Sequence, residues 1–236
     1  MQYFGGKHRI AKPICEFLNS SIEEGQTFVD LFCGSCNVVS NIRQDVKRYA
    51  NDKNIYLRAL FTCLQQGMIL PDDISVEDYY RIKEMPERSN EDLALKAFVG
   101  FGCSFAGKWW GGYARNGRGD NYAKNAFNSI MKKSNKMQDV IFSCMDYSEF
   151  QCSCGSLVYC DIPYKGTTQY SSVGAFDHES FYAWAKKKKD CRILVSEYKH
   201  NVPDGGQIVW EYASKKEIRN KDGGREETVE VLFEFV

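Results

Sequence analysis

The sequence predicts an α/β fold: a mostly parallel sheet with an antiparallel strand at its C-terminal end, interrupted by a mainly helical insertion. Three observations carry this. Short apolar runs alternate with helix-like stretches on both sides of the chain's middle, the pattern of βαβ units. Residues from about 67 to 137 break that rhythm and hold no good strand. The C-terminal stretch alternates apolar and polar residues after Asp222-Gly223-Gly224, a hairpin signal.

Taken in order, Thr27 to Phe32 reads as a buried strand entering a turn at Gly34, and a helix is expected from about Asn37 to Val46. Arg48 to Asp52 reads as a short second strand, and Asn54 can cap the next helix, through about Gln66. In the insertion, Asn90 to Phe105 and Tyr122 to Lys136 read as helices around a Gly-rich, aromatic and basic stretch, Gly107 to Asp120. Gln138 to Cys144 and Ser156 to Cys160 read as two further buried strands. Asp177 can cap a helix running into Lys186 to Lys189, where cations suit the helix end. Arg192 to Ser196, Gln207 to Tyr212 and Thr228 to Val236 complete the sheet. The expected division is 1–66 with 138–236 as one domain and 67–137 as the insertion.

Lys+Arg 31 balances Asp+Glu 31 over 236 residues, which excludes a generally polybasic protein. Yet from Lys96 to Val140 eight bases (Lys96, Lys108, Arg115, Arg118, Lys124, Lys132, Lys133, Lys136) meet two acids, Asp120 and Asp139. That is the footprint of a local polyanion site. No apolar run approaches the ~18 residues of a membrane span, and Met1 to Lys7 lacks the apolar core of a signal peptide. A cytoplasmic protein is expected, with a monomer as the default. The ten cysteines fall largely in apolar, strand-like runs (Phe32-Cys33, Phe142 to Cys144, Tyr159-Cys160) and read as reduced, buried thiols. Cys33-x-x-Cys36 and Cys152-x-Cys154 lack a second CxxC or a histidine pair, so no metal is expected.

Three segments carry chemistry. Phe28 to Cys36 is a buried strand ending in a small-residue turn, which lets a ligand approach the backbone. Asp52, at the end of the second strand, can accept hydrogen bonds from ribose hydroxyls. Together they suit an adenosine-containing cofactor, although GxGxxG is absent and a plain tight turn is the competing reading. Leu157 to Tyr164 is an apolar strand ending in an acid, a rigid proline and an aromatic ring. Asp161 and the Ile162 carbonyl could stand side by side as acceptors for an NH2 group, with Tyr164 as a stacking face. An ordinary strand exit with a core tyrosine competes. Tyr3 to Lys7 supplies two glycines for close approach and a cation for a carboxylate.

In this order the three segments resemble the Dam-like, D12-class family of DNA adenine-N6 methyltransferases, over nearly the whole chain. The resemblance implies a Rossmann-like class I methyltransferase sheet, a target-recognition domain in the insertion, S-adenosylmethionine as cofactor and double-stranded DNA as partner. Tyr3, Gly6 and Lys7 look like the N-terminal cofactor motif. Asp30, Phe32, Gly34, Ser35, Cys36 and Asn37 look like the FxGxG methyl-donor region. Asp52 resembles the ribose-binding acid, and Asp146 and Tyr147 lie where the family contacts the cofactor adenine. Asp161, Ile162, Pro163 and Tyr164 look like the catalytic DPPY motif, with Asp161 also beside the cofactor. Gly107 to Asn121 resembles the DNA-contacting loop, so Lys108, Trp109, Trp110, Tyr113, Arg115, Asn116, Arg118 and Lys124 are candidate DNA contacts, with one of the two tryptophans expected to touch DNA. Cys36 stands where the motif has its second glycine, and Ile162 where it has its first proline.

The implied chemistry is direct methyl transfer to the N6 amine of a flipped adenine, with Asp161 and the Ile162 carbonyl restoring lone-pair density on N6. Two alternatives remain at this level: a methyltransferase-fold DNA-binding protein without catalysis, and methylation of RNA or of a protein amide. Ser196 to Tyr198 is either a pocket wall or packing, and His178 reads as an ordinary first-turn residue.

Overall fold

The computed structural model describes residues 1, 3, 6–8, 10–151, 153–166, 176–219 and 225–235. Strands β1 (Phe28–Asp30), β2 (Arg48–Asn51), β3 (Ile141–Ser143), β4 (Leu157–Cys160) and β5 (Arg192–Tyr198) pair in parallel. β6 (Gly206–Arg219) and β7 (Arg225–Phe235) form an antiparallel hairpin, and β7 inserts beside β5 against the direction of the rest. The order β3-β2-β1-β4-β5-β7-β6 reverses at β1/β4, so the carboxyl ends of those strands flank a natural ligand crevice. The expected Rossmann-like sheet with a reversed C-terminal strand is what forms. The residues Asp222 to Gly224 lie outside the described ones.

Helices α1 (Ala11–Ser21), α2 (Ile55–Gln65), α3 (Val76–Glu84), α4 (Asn90–Gly102), α5 (Tyr122–Ser134) and α6 (His178–Lys187) cover the sheet and build the insertion. Their starts follow local chemistry. Asn54 accepts from the Tyr56 and Leu57 amides, and Asp177 accepts from Ser180. Ser89 and Asp92 form a reciprocal capping box at α4. Helices α1 and α3 were not foreseen. The first begins without a side-chain cap, and the second buries only Tyr79 and Ile82.

Both faces of the sheet are covered, which is why β4 is apolar throughout. One core takes Phe28, Ala50, Leu157, Leu194 and Leu232 and is shared with α1, α2 and the apolar residues of α4 and α5. The other takes Val29, Leu31, Val158, Val195, Val231 and Phe233 against Phe181, Tyr182 and Ala185 of α6. β3 departs from expectation: it is an edge strand, with Ile141 46% exposed. Cys144 just beyond it is exposed rather than buried, whereas Cys15, Cys33, Cys36, Cys63, Cys103 and Cys160 are buried free thiols. Among the described residues no helix is long and apolar enough to cross a membrane, and no group of three or more His, Cys, Asp or Glu is placed to hold a metal ion.

The helix expected over Asn37 to Val46 does not form; a single 3₁₀ turn, Val39–Asn41, takes its place. Side chains have taken the backbone groups a helix would pair. The Val39 amide donates to Asp30 Oδ2, Ser40 Oγ donates to the Cys36 carbonyl, and Asn41 donates to the Asn37 carbonyl. Arg48, fully buried on β2, donates to the Val39 and Ile42 carbonyls at 3.3 and 3.1 Å and to the Lys136 carbonyl at 2.9 Å, and pairs with Asp139. Replacing Arg48 with Met is expected to remove roughly 2 kcal/mol or more of stability, because the Ile42 and Lys136 carbonyls lose this donor at ~1 kcal/mol or more each and the Val39 carbonyl keeps only the Ile42 amide. Asp139→Asn removes a half-exposed partner and is expected to cost under about 1 kcal/mol. Urea denaturation of the two variants measures the difference.

Candidate active site

The turn after β1 needs two left-handed residues. Gly34 has φ +48, and a Cβ there would lie 3.2 Å from the Tyr3 ring. Cys36 has φ +57 with its side chain fully buried, so the position where the family motif carries glycine demands a glycine-like backbone. A Cβ on Gly6 would meet Asn37 Nδ2 at 3.0 Å, so Gly6 lies directly against this loop. Asp52 holds the loop from the other side, accepting from the Gly34 amide at 2.8 Å and the Asn54 amide at 2.9 Å.

Three carboxylates converge here. Asp30 is 1% exposed; burial pushes its pKa well up, and Asp161 and Asp52 add to the rise. Burial raises Asp52 as well. Oδ1 of Asp30 has no hydrogen-bond partner among the described residues.

Asp161 leaves β4 at its carboxyl end, part-buried, and Lys7 Nζ sits 2.6 Å from its Oδ1. Burial raises the Asp161 pKa, and Lys7 works against that rise. Pro163 and Tyr164 follow in a corner held from several sides. His178 Nε2 lies 2.7 Å from the Pro163 carbonyl; since that oxygen only accepts, Nε2 carries the proton. Glu197, fully buried, accepts from the Lys165 amide, and Asn201 donates to the Lys165 carbonyl. The Tyr164 hydroxyl lies 2.6 Å from Ser196 Oγ and donates to Glu230. Its pKa is pushed well up, first by burial and then by Asp161 and Glu230, so it stays protonated. Tyr198 meets the ring edge-on at 4.7 Å.

The Tyr164 ring is only 7% exposed, and Lys7 Nζ lies 3.9 Å above its centroid. A base stacking on that face requires the ammonium to withdraw. Glu230, 4.0 Å from Nζ, offers a second carboxylate to withdraw toward. Sequence reasoning missed Glu230 and His178, and left Ser196 to Tyr198 undecided. Glu230 carries no motif; it reaches the site because β7 is antiparallel and pairs it with Tyr198 at the carboxyl end of β5.

Beside the donor loop, Phe32, Tyr147 and Phe176 form an aromatic group with centroids 5.9 to 6.0 Å apart. Asp146 is turned away into a cap: it accepts from the Ser148 amide and hydroxyl and from Lys53, and these bonds hold its pKa down at about 2.

The insertion divides its candidates. Trp109 and Trp110 pack inward: a Cβ on Gly100 would meet the Trp109 ring at 2.7 Å, and Trp110 meets Tyr79 edge-on. Both tryptophans, one of which is expected to touch DNA, are half-buried and pack between α4 and its neighbours. Tyr113 donates its hydroxyl to the Ile74 carbonyl, and Lys124 is paired with Asp72. Lys96 is a buried partner of Glu87. Lys108, Arg115, Asn116 and Arg118 are exposed. Asn116 organises the turn, accepting from the Arg118 and Asp120 amides.

A doubly wound sheet whose crevice pairs a left-handed small-residue loop with an acid-x-Pro-aromatic corner has the form of a class I methyltransferase. The chain belongs to the D12 class N6 adenine-specific DNA methyltransferase family, whose model matches residues 3–94 and 111–204. It is 25% identical over 195 residues to the Type II methyltransferase M.FokI of Planomicrobium okeanokoites. That match covers 71% of this chain and 29% of the relative, so the chain spans less than a third of that protein's length. Among solved structures it is similar to a candidate RNA methyltransferase from Pyrococcus horikoshii (TM-score 0.44, 10% identity, 96% of this chain and 83% of that one). It is also similar to SMU.472, a candidate methyltransferase complexed with SAH (TM-score 0.37, 11% identity, 100% of this chain and 54% of that one).

Cys36→Gly is expected to change stability by less than about 1 kcal/mol, because relief of a left-handed residue at ~1–2 kcal/mol offsets the lost thiol packing. Cys36→Val puts a β-branched side chain at the same φ and is expected to cost more than about 2 kcal/mol. Thermal unfolding of both variants checks the order.

Proposed function

We propose that this protein is a site-specific DNA methyltransferase that moves a methyl group from S-adenosylmethionine to the N6 amine of an adenine flipped out of duplex DNA. The observation that carries this reading is the part-buried Asp161 carboxylate, held by Lys7 at the carboxyl end of β4 beside β1. In that position Asp161 and the Ile162 carbonyl accept the two N6 hydrogens, restore the nitrogen lone pair and stabilise the developing positive charge. Tyr164, fixed through its hydroxyl by Ser196 and Glu230, gives the base a ring that cannot rotate away.

The cofactor is a cation twice over, as sulfonium and as ammonium, and the residues present fit it. Asp30 Oδ1 is a buried polar atom without a hydrogen-bond partner among the described residues, and Asp52 and Asp161 stand near it. When bound, the cofactor supplies an electrophilic methyl group. Lys7, Asp30 and the loop from Gly34 to Asn37 would hold its methionine part, Asp52 its ribose, and Phe32 with Tyr147 its adenine. Asp146 is better suited to fixing the turn that carries Tyr147. Residues 67–137 act as the target-recognition region, with Arg115 and Arg118 the first candidates for phosphate or guanine contacts. The protein acts as a monomer in the cytoplasm.

Transfer of labelled methyl groups from S-adenosylmethionine to unmethylated duplex DNA, followed by nucleoside analysis, is expected to give N6-methyladenine. Asp161→Ala is expected to lower the rate by ~100-fold or more. Product in RNA or protein but not DNA would overturn the reading. Asp161 must be ionised to accept the N6 hydrogens, and burial already raises its pKa against the pull of Lys7. Lys7→Met therefore raises it further, and the acid limb of the kcat profile at saturating cofactor moves to higher pH. A limb that stays in place or moves down would contradict the pairing.

A further inference from the structure

The last turn of α5 reaches the loop after β1. Lys133 Nζ donates to the Ser35 carbonyl and to Asn37 Oδ1, both at 2.6 Å. Asn37 Nδ2 in turn donates to Ser35 Oγ at 3.1 Å and is the atom packed against Gly6. Lys133 thus joins three parts that are distant in sequence: the insertion, the methyl-donor loop and the N-terminal glycine segment.

This is an unusual place for a lysine. Its acceptors are neutral, and no carboxylate pairs with it among the described residues. Burial lowers its pKa to about 8, with the Met1 amino group nearby. A helix end needs only a solvated cation, which the exposed neighbour Lys132 already provides. Drawing an ammonium out of water is unfavourable unless hydrogen bonds compensate, and here the Ser35 carbonyl and Asn37 Oδ1 supply them.

The opposite end of α5 carries the exposed basic loop. Asn121 caps the helix directly after Arg115 to Asp120, and the 13-residue helix forms a rod of ~20 Å between loop and lysine. The far end is anchored again one turn on, where Lys136 Nζ meets Asn41 Oδ1 at 3.2 Å and Arg48 holds the Lys136 carbonyl. The helix thus links the basic loop physically to the Ser35–Asn37 turn.

We propose that Lys133 is a positioning residue that couples DNA engagement by the insertion to methyl-donor binding, through α5 and the Ser35–Asn37 turn. The proposal rests on the methyltransferase reading above. Equilibrium dialysis with labelled S-adenosylhomocysteine, which binds without reacting, tests it on the full chain with and without excess unmethylated duplex DNA. DNA is expected to tighten binding by about five-fold or more in the parent protein. In Lys133→Met the binding is weaker and the DNA effect falls to less than about two-fold, while Lys133→Arg, which can still reach both acceptors, keeps most of it. Asn37→Ala removes an acceptor from the other side of the link and is expected to lose the coupling too, which guards against Lys133→Met failing to fold. A merely structural lysine would change stability and leave the DNA effect intact. An undiminished DNA effect in Lys133→Met and Asn37→Ala, or none in the parent protein, overturns the coupling. No binding of S-adenosylhomocysteine by the parent protein overturns the methyltransferase reading itself, and the coupling with it.

Discussion

The Lys7–Asp161 pair, drawn largely out of water at the end of a parallel strand, is the constraint around which this site is arranged. Lys7 comes from the N-terminal segment, so that segment must lie across the carboxyl end of β4. To do so it passes against the donor loop, where Gly6 and Gly34 leave the room. The same ammonium covers Tyr164 and lies near Glu230, so one cation organises the acid, the ring and the C-terminal strand. Its position also means the free site is closed over its own tyrosine. Any planar group that stacks on that ring has to displace Lys7.

The loop after β1 is organised on a different principle. Where an uninterrupted helix would satisfy its own backbone, this loop has side chains from outside do so: Arg48 from β2, Asn19 from α1 and Lys133 from the insertion. The loop's shape is thereby tied to groups on other elements and is not fixed by its own sequence alone. The glycine-like backbone at Cys36 belongs to the same arrangement.

Much of this was legible beforehand because it rests on local chemistry. Caps at Asn54 and Asp177, the apolar run of β4 and the small-residue turn at Gly34 all announce themselves within a few residues. What was hidden depends on pairing at long range. Nothing local marks Arg48 as a buried donor, so a helix was expected where a 3₁₀ turn stands. Trp109 and Trp110 look like surface aromatics among glycines, yet Gly100 on α4 leaves the space that draws Trp109 inward. Asp30, Asp52 and Asp161 were singled out from the order of the motifs along the chain. Glu230 was not, because its place is set by strand register.

That register has a consequence for how errors are handled. On β7, Glu230 and Leu232 face one side of the sheet, while Val231 and Phe233 face the apolar layer under α6. A slip of one residue would exchange the two sets. Val231 would then meet Lys7, and Glu230 would be forced into the apolar layer. A chain with the wrong pairing would lose its core together with its acid, so folding itself screens out the molecules that could not work.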